Sequence, residues 1–222
     1  MLEHLWYDAH EVIDMRSFQK LADARYARPA AQFMRYVCYF VIFFHVLCLV
    51  LSLMGRQTFA LHTSQGTYDQ AIYAEEDHDP TSRVFTVSVN DDIFVWANEE
   101  DQIELTTHLA ISLMFALGAV PLIFAYWFLS RVFSNISRGQ IFTEQNARCL
   151  LDYGLMQMIV ALPVPLLKQL VCFLANQIAD SRISLHTGTE VLNTLIPSIA
   201  FLVAAYIIRY GIYLQDEVDH TL

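Results

Sequence analysis

Between residues 105 and 130 the chain runs for twenty-six residues without an Asp, Glu, Lys or Arg. A helix over that run exceeds the roughly 20 residues that cross about 30 Å of hydrocarbon. Inside a bilayer every backbone amide must find its partner within the segment, so a helix is the conformation open to it. The run gives way to a polar joint, 131–153 (RVFSNISRGQIFTEQNARCLLDY), beyond which a second long apolar run begins. Arg138 and Gly139 read as a helix end, because a cation suits the negative pole of a helix and glycine accepts the left-handed conformation after the last turn. The helix therefore overshoots the membrane by about two turns. Thr143 has the chemistry of an N-cap, with Glu144 at the first helical position; Asn146 stands where a capping box carries Glu or Gln, which makes that box imperfect. A new helix starts here and returns to the membrane.

Two further runs have the same character. Residues 36–55 contain no Asp, Glu, Lys or Arg and are bracketed by Arg35 and Arg56, and 191–208 form a last span with Pro197 near its start. The span after the joint, 153–176, carries Pro163 and Pro165. These remove two amide donors and disturb the carbonyls of Ile159 and Ala161, so a kink or short break is expected. With 55% hydrophobic and only 16% charged residues in 222, the chain is too apolar for a soluble domain of its length. The division is thus 1–35, span 36–55, 56–104, span 105–130, joint 131–152, span 153–176, loop 177–190, span 191–208 and tail 209–222.

The segments between the spans carry the charge. Acids at Glu3, Asp8, Glu11 and Asp14 occupy the place of a basic signal-peptide start, so residues 1–35 are expected to be retained. Leu2, Leu5, Trp6, Ala9, Val12 and Ile13, then Phe18, Leu21, Ala22 and Tyr26, recur at helical spacing. They predict one amphipathic helix or two short ones, ended by Pro29. That segment either meets a partner or the membrane surface, or packs on the protein's own helix ends. Residues 57–104 hold eleven acids against the single base Arg83. Within them, 84–89 (VFTVSV) and 93–96 (IFVW) flank Asn90, Asp91 and Asp92, a β-hairpin signal. Residues 57–61 add a third strand, making a small sheet over one end of the bundle. An isolated hairpin is marginal, so it must pack on something.

Counting bases sets the orientation. With a cytoplasmic amino terminus, Arg16, Lys20, Arg25, Arg28, Arg35, Arg131, Arg138, Arg148 and Arg209 lie inside, and Arg56, Arg83 and Arg182 outside. The positive-inside rule selects this arrangement. Both termini and the joint are then cytoplasmic, and the acidic insertion is extracytoplasmic.

The segment 139–146 (GQIFTEQN), followed by 150–154 (LLDYG), resembles the G-x-x-F-T-x-x-N … L-x-x-x-G signature of a widespread bacterial family of four-span membrane proteins catalogued as a domain of unknown function. The ending 211–221 (GIYLQDEVDHT) is similar to that family's G-x-x-L-Q-x-E-x-D-x-T. The resemblance covers roughly 105–222 and singles out Gly139, Phe142, Thr143, Asn146, Gly154, Gly211, Leu214, Gln215, Glu217, Asp219 and Thr221. One departure is Ile208 before Arg209, where the family often has Phe. The resemblance implies no reaction; members often lie beside small helix-turn-helix regulators, which suggests membrane-linked control of transcription. Residues 214–219 are expected to continue the last helix and bring Asp216, Glu217 and Asp219 near Arg131 and Arg138. Exposed ion pairs are each worth roughly 0–1 kcal/mol, so the result is either a latch that a partner can shift or a static cap.

Reaction chemistry has no candidate. Cys38, Cys48, Cys149 and Cys172 form no C-x-x-C and read as buried small hydrophobes. The histidines show no metal spacing, and no nucleophile elbow or phosphate loop is present, so no catalytic, cofactor-binding or metal-ligating residue is assigned. The cluster Glu75, Glu76, Asp77, His78 and Asp79 lacks EF-hand spacing; it reads as a solvated loop or as a site for Ca²⁺ or a basic peptide. Two ionisable residues lie within the spans, where such groups are functional suspects. His45 reads either as a hydrogen-bonded bundle residue or as part of a polar site. Lys168 lies about 12 Å from the outer end of its span. It either snorkels toward Asp180 or Glu190, or binds an anionic group beside the proline break.

The expectation is an all-α membrane protein, a four-transmembrane-helix bundle with a small extracytoplasmic β-hairpin insertion, in a bacterial inner or plasma membrane. Its role is expected to be non-enzymatic, as a sensor, regulatory or interaction subunit without a cofactor; the alternative is a transporter or channel subunit, or a lipid or anionic-ligand binder using Lys168. Its expected partners are the lipid bilayer, a cytoplasmic regulatory protein, and a second copy or another membrane protein, with no direct contact to nucleic acid.

Overall fold

A computed structural model describes residues 24–73, 86–88, 93–185 and 190–221. In chain order the elements are α1 (Ala24–Leu53), β1 (Gln57–Thr63), β2 (Gly66–Ile72), β3 (Val87–Ser88), β4 (Ile93–Trp96), α2 (Leu105–Ser137), α3 (Glu144–Ala161), α4 (Pro163–Ile178), β5 (Arg182–Leu185) and α5 (Glu190–Thr221). Four helical runs are long and apolar enough to cross a membrane: Ala27–Leu53, Leu105–Ser137, Glu144–Ile178 and Asn193–Leu214. The expected amphipathic segment before Ala24 lies outside the described residues. Pro29 does not end a helix but sits within α1. It removes one amide, the partner of the Arg25 carbonyl, and the helix passes through.

The helix α2 is the hub: α1, α3 and α4 pack on it, and α5 packs on α3. Residues buried between helices are largely small, including Ala119, Ala125, Ala147, Cys149, Ala161 and Ala205, as expected where backbones approach closely without a hydrophobic drive between helices. Large apolar side chains such as Phe40, Phe43, Leu166, Phe173 and Tyr206 are exposed instead, the surface that lipid covers. The third span is broken. Leu162 is at once the C-cap of α3 and the N-cap of α4, with its amide donating to Met158 O at 3.0 Å and Pro163 opening α4. The ring of Pro163 would collide with the carbonyl of Ile159, whereas the first turn of a new helix loses nothing by a missing amide.

At one end of the bundle, hereafter the sheet end, the strands form a mixed sheet of order β2-β1-β4-β5, with β3 also paired to β1. The hairpin is not the one the turn signal indicated. β1 and β2 form it, antiparallel, closing at Thr63 and Gly66. Among the described residues β3 and β4 are not paired with each other: both run parallel to β1, at Gln57↔Val87 and then at Ala60↔Phe94. Alternation explains the outcome. Gln57, Phe59 and Leu61 on β1, and Ile93 and Val95 on β4, are all buried, so side-by-side parallel placement puts both apolar faces on the helices. Phe59, Leu61, Ile93 and Val95 share one core with Ala110, Ile111 and Met114 of α2 and Cys172 and Ala175 of α4. The expected polar loop after the third span carries a strand as well. β5 pairs antiparallel with β4, at Ile93↔Leu185 and Val95↔Ile183. The Asn176 side chain anchors it from α4, accepting from Ile183 N at 2.7 Å and donating to Ile183 O at 2.8 Å.

Candidate functional site at the helical joint

At the opposite end, α2 turns into α3 within six residues, 138–143. Arg138 caps α2, with its amide donating to Asn135 O at 3.0 Å; Gly139 follows in the left-handed region at φ +85°, and Gln140 N also reaches Asn135 O at 3.0 Å. Thr143 is the N-cap of α3, its hydroxyl oxygen accepting from Asn146 N at 3.2 Å. Both helix-end expectations therefore hold. Asn146, in contrast, is no failed capping box. Its side chain is fully buried, 0% exposed, and turns back to hold the connection: Nδ2 donates to Gln140 O at 2.8 Å and Ile141 O at 2.9 Å, and Oδ1 accepts from Asn135 Nδ2 at 2.8 Å. A Glu or Gln is too long to make these bonds at that distance from its own backbone. Asn135 was not singled out from the sequence; an amide in the last turn of an otherwise apolar helix is the signal that would have found it.

The two motifs meet at this joint. The ring of Phe142 lies beside Gly211 of α5, where a Cβ on that glycine would stand in ordinary van der Waals contact, 3.7 Å from Phe142 Cδ1. Phe142 nevertheless remains 59% exposed, beside the exposed Ile141, and Leu214 one turn further along α5 is exposed too. Gly154 sits at the α3–α5 crossing, where an added Cβ would approach Leu202 Cδ2 to 2.9 Å and Ser198 O to 3.2 Å. Tyr153 meets Phe201 edge-on at 4.5 Å beside it. The continuation of the last helix through 214–219 holds, since α5 extends to Thr221. Glu217 is exposed, while the side chains of Gln215, Asp216, Asp219 and Thr221 lie outside the described residues. Glu144 and Arg148 form an ion pair at the joint, at 2.8 Å and well exposed.

A family model described as a protein of unknown function (DUF2975) matches residues 70–222. The chain belongs to this family. The match reaches back beyond the motif-bearing half into the sheet, so β3, β4 and β5 belong to the family region together with the joint and the tail. No curated protein and no solved structure matches the chain.

The two intramembrane suspects are placed apart. Half-buried His45 shares a hydrogen bond between Nδ1 and the Val41 carbonyl at 2.8 Å, and its ring lies 6.3 Å from that of Tyr126. Lys168 reaches across to α2: its Nζ lies 3.8 Å from where a Cβ on Gly118 would stand. That point is about 20 Å along α2 from Leu105, within the length of the span. The backbone amide of Asp180, one of its expected surface partners, donates to Glu104 Oε1 at 3.1 Å. Tyr126 and Gly118 are separated by about 12 Å along α2, and His45 and Lys168 form no common site.

Several polar residues at the sheet end carried no sequence signal. Gln57 is fully buried; its Nε2 donates to Ser112 Oγ at 2.9 Å and Ser52 O at 3.1 Å and touches Ser52 Oγ, tying α1, β1 and α2 together. Buried His108 stacks flat on Tyr73 at 4.3 Å. At the hairpin tip, Asp101 accepts from Ser64 N at 2.8 Å and from the Ser64 hydroxyl, and these bonds hold its carboxyl below the usual carboxylate range. All four cysteines are buried free thiols. Among the described residues no group of three His, Cys, Asp or Glu could hold a metal; the 75–79 cluster lies outside them.

Proposed function

We propose that this protein is a non-enzymatic regulatory or sensor subunit whose joint end receives a cytoplasmic partner protein, in keeping with a small helix-turn-helix regulator. One observation carries the reading. Phe142 of the first motif lies beside Gly211 of the second, within van der Waals reach of a Cβ there, and yet stays 59% exposed. A largely exposed aromatic ring at a membrane edge, at the meeting of the two motifs, is a feature of a recognition surface rather than of a core. The excess of bases at this end supports a cytoplasmic location for it. The test is photo-crosslinking in native membranes from a reactive residue placed at Phe142, in the intact chain and in one truncated after Gly211. The expected result is one cytoplasmic protein crosslinked by the intact chain and lost on truncation. Identical crosslinks from both folded forms, or none, would count against the reading.

A second reading rests on Lys168, whose ammonium lies against Gly118 rather than at the span's end. A cation in that position suits a transporter or channel subunit, or a binder of an anionic group. Lys168→Met then abolishes uptake or binding in a chain that still folds; unchanged uptake with Lys168→Met removes this alternative.

A further inference from the structure

The seam between α1 and α2 at the joint end holds two arginines, Arg28 and Arg35, two turns apart on α1. Arg28 lies over the joint, with its Nη2 3.3 Å from where a Cβ on Gly139 would stand. Arg35 is half-buried. Its Nη1 reaches Ser134 Oγ of α2 at 3.4 Å, the outer limit of a hydrogen bond, and its Nε is buried without a partner. The Tyr36 and Tyr39 rings each lie 5.7 Å from its Cζ. Neither arginine is in an ion pair among the described residues.

We infer that this seam binds the phosphate of an anionic phospholipid headgroup. A guanidinium with a buried, unpaired donor is costly unless an anion meets it, and its fork of N–H groups matches a phosphate bidentately. Depth selects the source. Arg35 immediately precedes the uncharged run of α1, so it stands at headgroup level. On the same helix Tyr39, Phe43 and Val46, at i+4, i+8 and i+11 from Arg35 and so on its side of α1, are 45%, 64% and 43% exposed. They offer an apolar track for the acyl chains, which free phosphate has no use for. The site is separate from Phe142 and stands whether or not the joint receives a protein partner.

The experiment uses the full chain purified in mild detergent, with lipid adducts read by native mass spectrometry and apparent Tm read after adding phosphatidylglycerol, phosphatidylcholine or inorganic phosphate. Phosphatidylglycerol is expected to be retained and to raise the Tm, with phosphatidylcholine and phosphate having little effect. Arg28→Gln together with Arg35→Gln should weaken phosphatidylglycerol binding by roughly tenfold or more. Arg28→Gln alone, at an exposed position, keeps the test decisive if the double variant does not fold, since it should weaken binding in the same direction. Arg148→Gln, which removes an equal charge already paired with Glu144, should leave binding unchanged. Equal retention of the two lipids, or unaltered phosphatidylglycerol binding in the folded Arg28 and Arg35 variants, overturns the site. Stabilisation by inorganic phosphate equal to that by phosphatidylglycerol overturns the lipid assignment.

Discussion

The joint stands or falls on one amide. Replacing Asn146 with Ala removes three side-chain hydrogen bonds, to Gln140 O, Ile141 O and Asn135 Nδ2. Gln140 and Ile141 are exposed, so water can replace the lost donor there and each bond contributes at the low end, about 0.5 kcal/mol. Asn135 is buried, 8% exposed, and its stranded amide carries the larger penalty of about 1–2 kcal/mol. The sum for Asn146→Ala is roughly 2–3 kcal/mol. Denaturant unfolding of the full chain in mixed micelles measures it, and a cycle with Asn135→Ala isolates the pair, with an expected coupling of about 1 kcal/mol. A loss below about 0.5 kcal/mol for Asn146→Ala, or strict additivity in the cycle, would refute the argument that this pair fastens α2 to α3.

Three other outcomes follow from named contacts. Gly154→Ala places a methyl 2.9 Å from Leu202 Cδ2 and 3.2 Å from the Ser198 carbonyl; α3 and α5 must separate, which costs about 1–3 kcal/mol and shows as a lowered Tm. Gly139→Ala puts a side chain at φ +85°, costing about 1–2 kcal/mol in the same assay. At the hairpin tip, the folded Asp101 carboxyl titrates below its ordinary 3.8. Its contribution is therefore fully present above that pH and lost as the pH falls through the lower folded value. The Ser64 amide proton shift, followed by NMR, should titrate below pH 3.8, and Asp101→Asn should abolish the titration; a midpoint at or above the ordinary value would contradict the two Ser64 bonds.

What the sequence determined by itself is whatever depends on neighbours within a turn or on the length of a run. The long apolar runs specified four spans because the solvent they enter leaves a helix as the answer. Arg138, Gly139 and Thr143 specified where α2 stops and α3 starts, since caps act on the nearest amides and carbonyls. Pro163 specified the break at Leu162 by a clash one turn away. Only the tertiary structure decided the rest. The Asn90, Asp91 and Asp92 turn signal is local, but strand partners are chosen by which pairing buries Phe59, Leu61, Ile93 and Val95 together, and that choice set β4 beside β1 in parallel. β5 is a four-residue strand that exists because Asn176 and β4 stand ready to pair with it. The roles of Asn146 and Phe142, and the contact of Lys168 with α2, depend on Asn135, Gly211 and Gly118. These are side-chain meetings between different helices, and the spacing of residues along one helix carries no information about which face another helix presents.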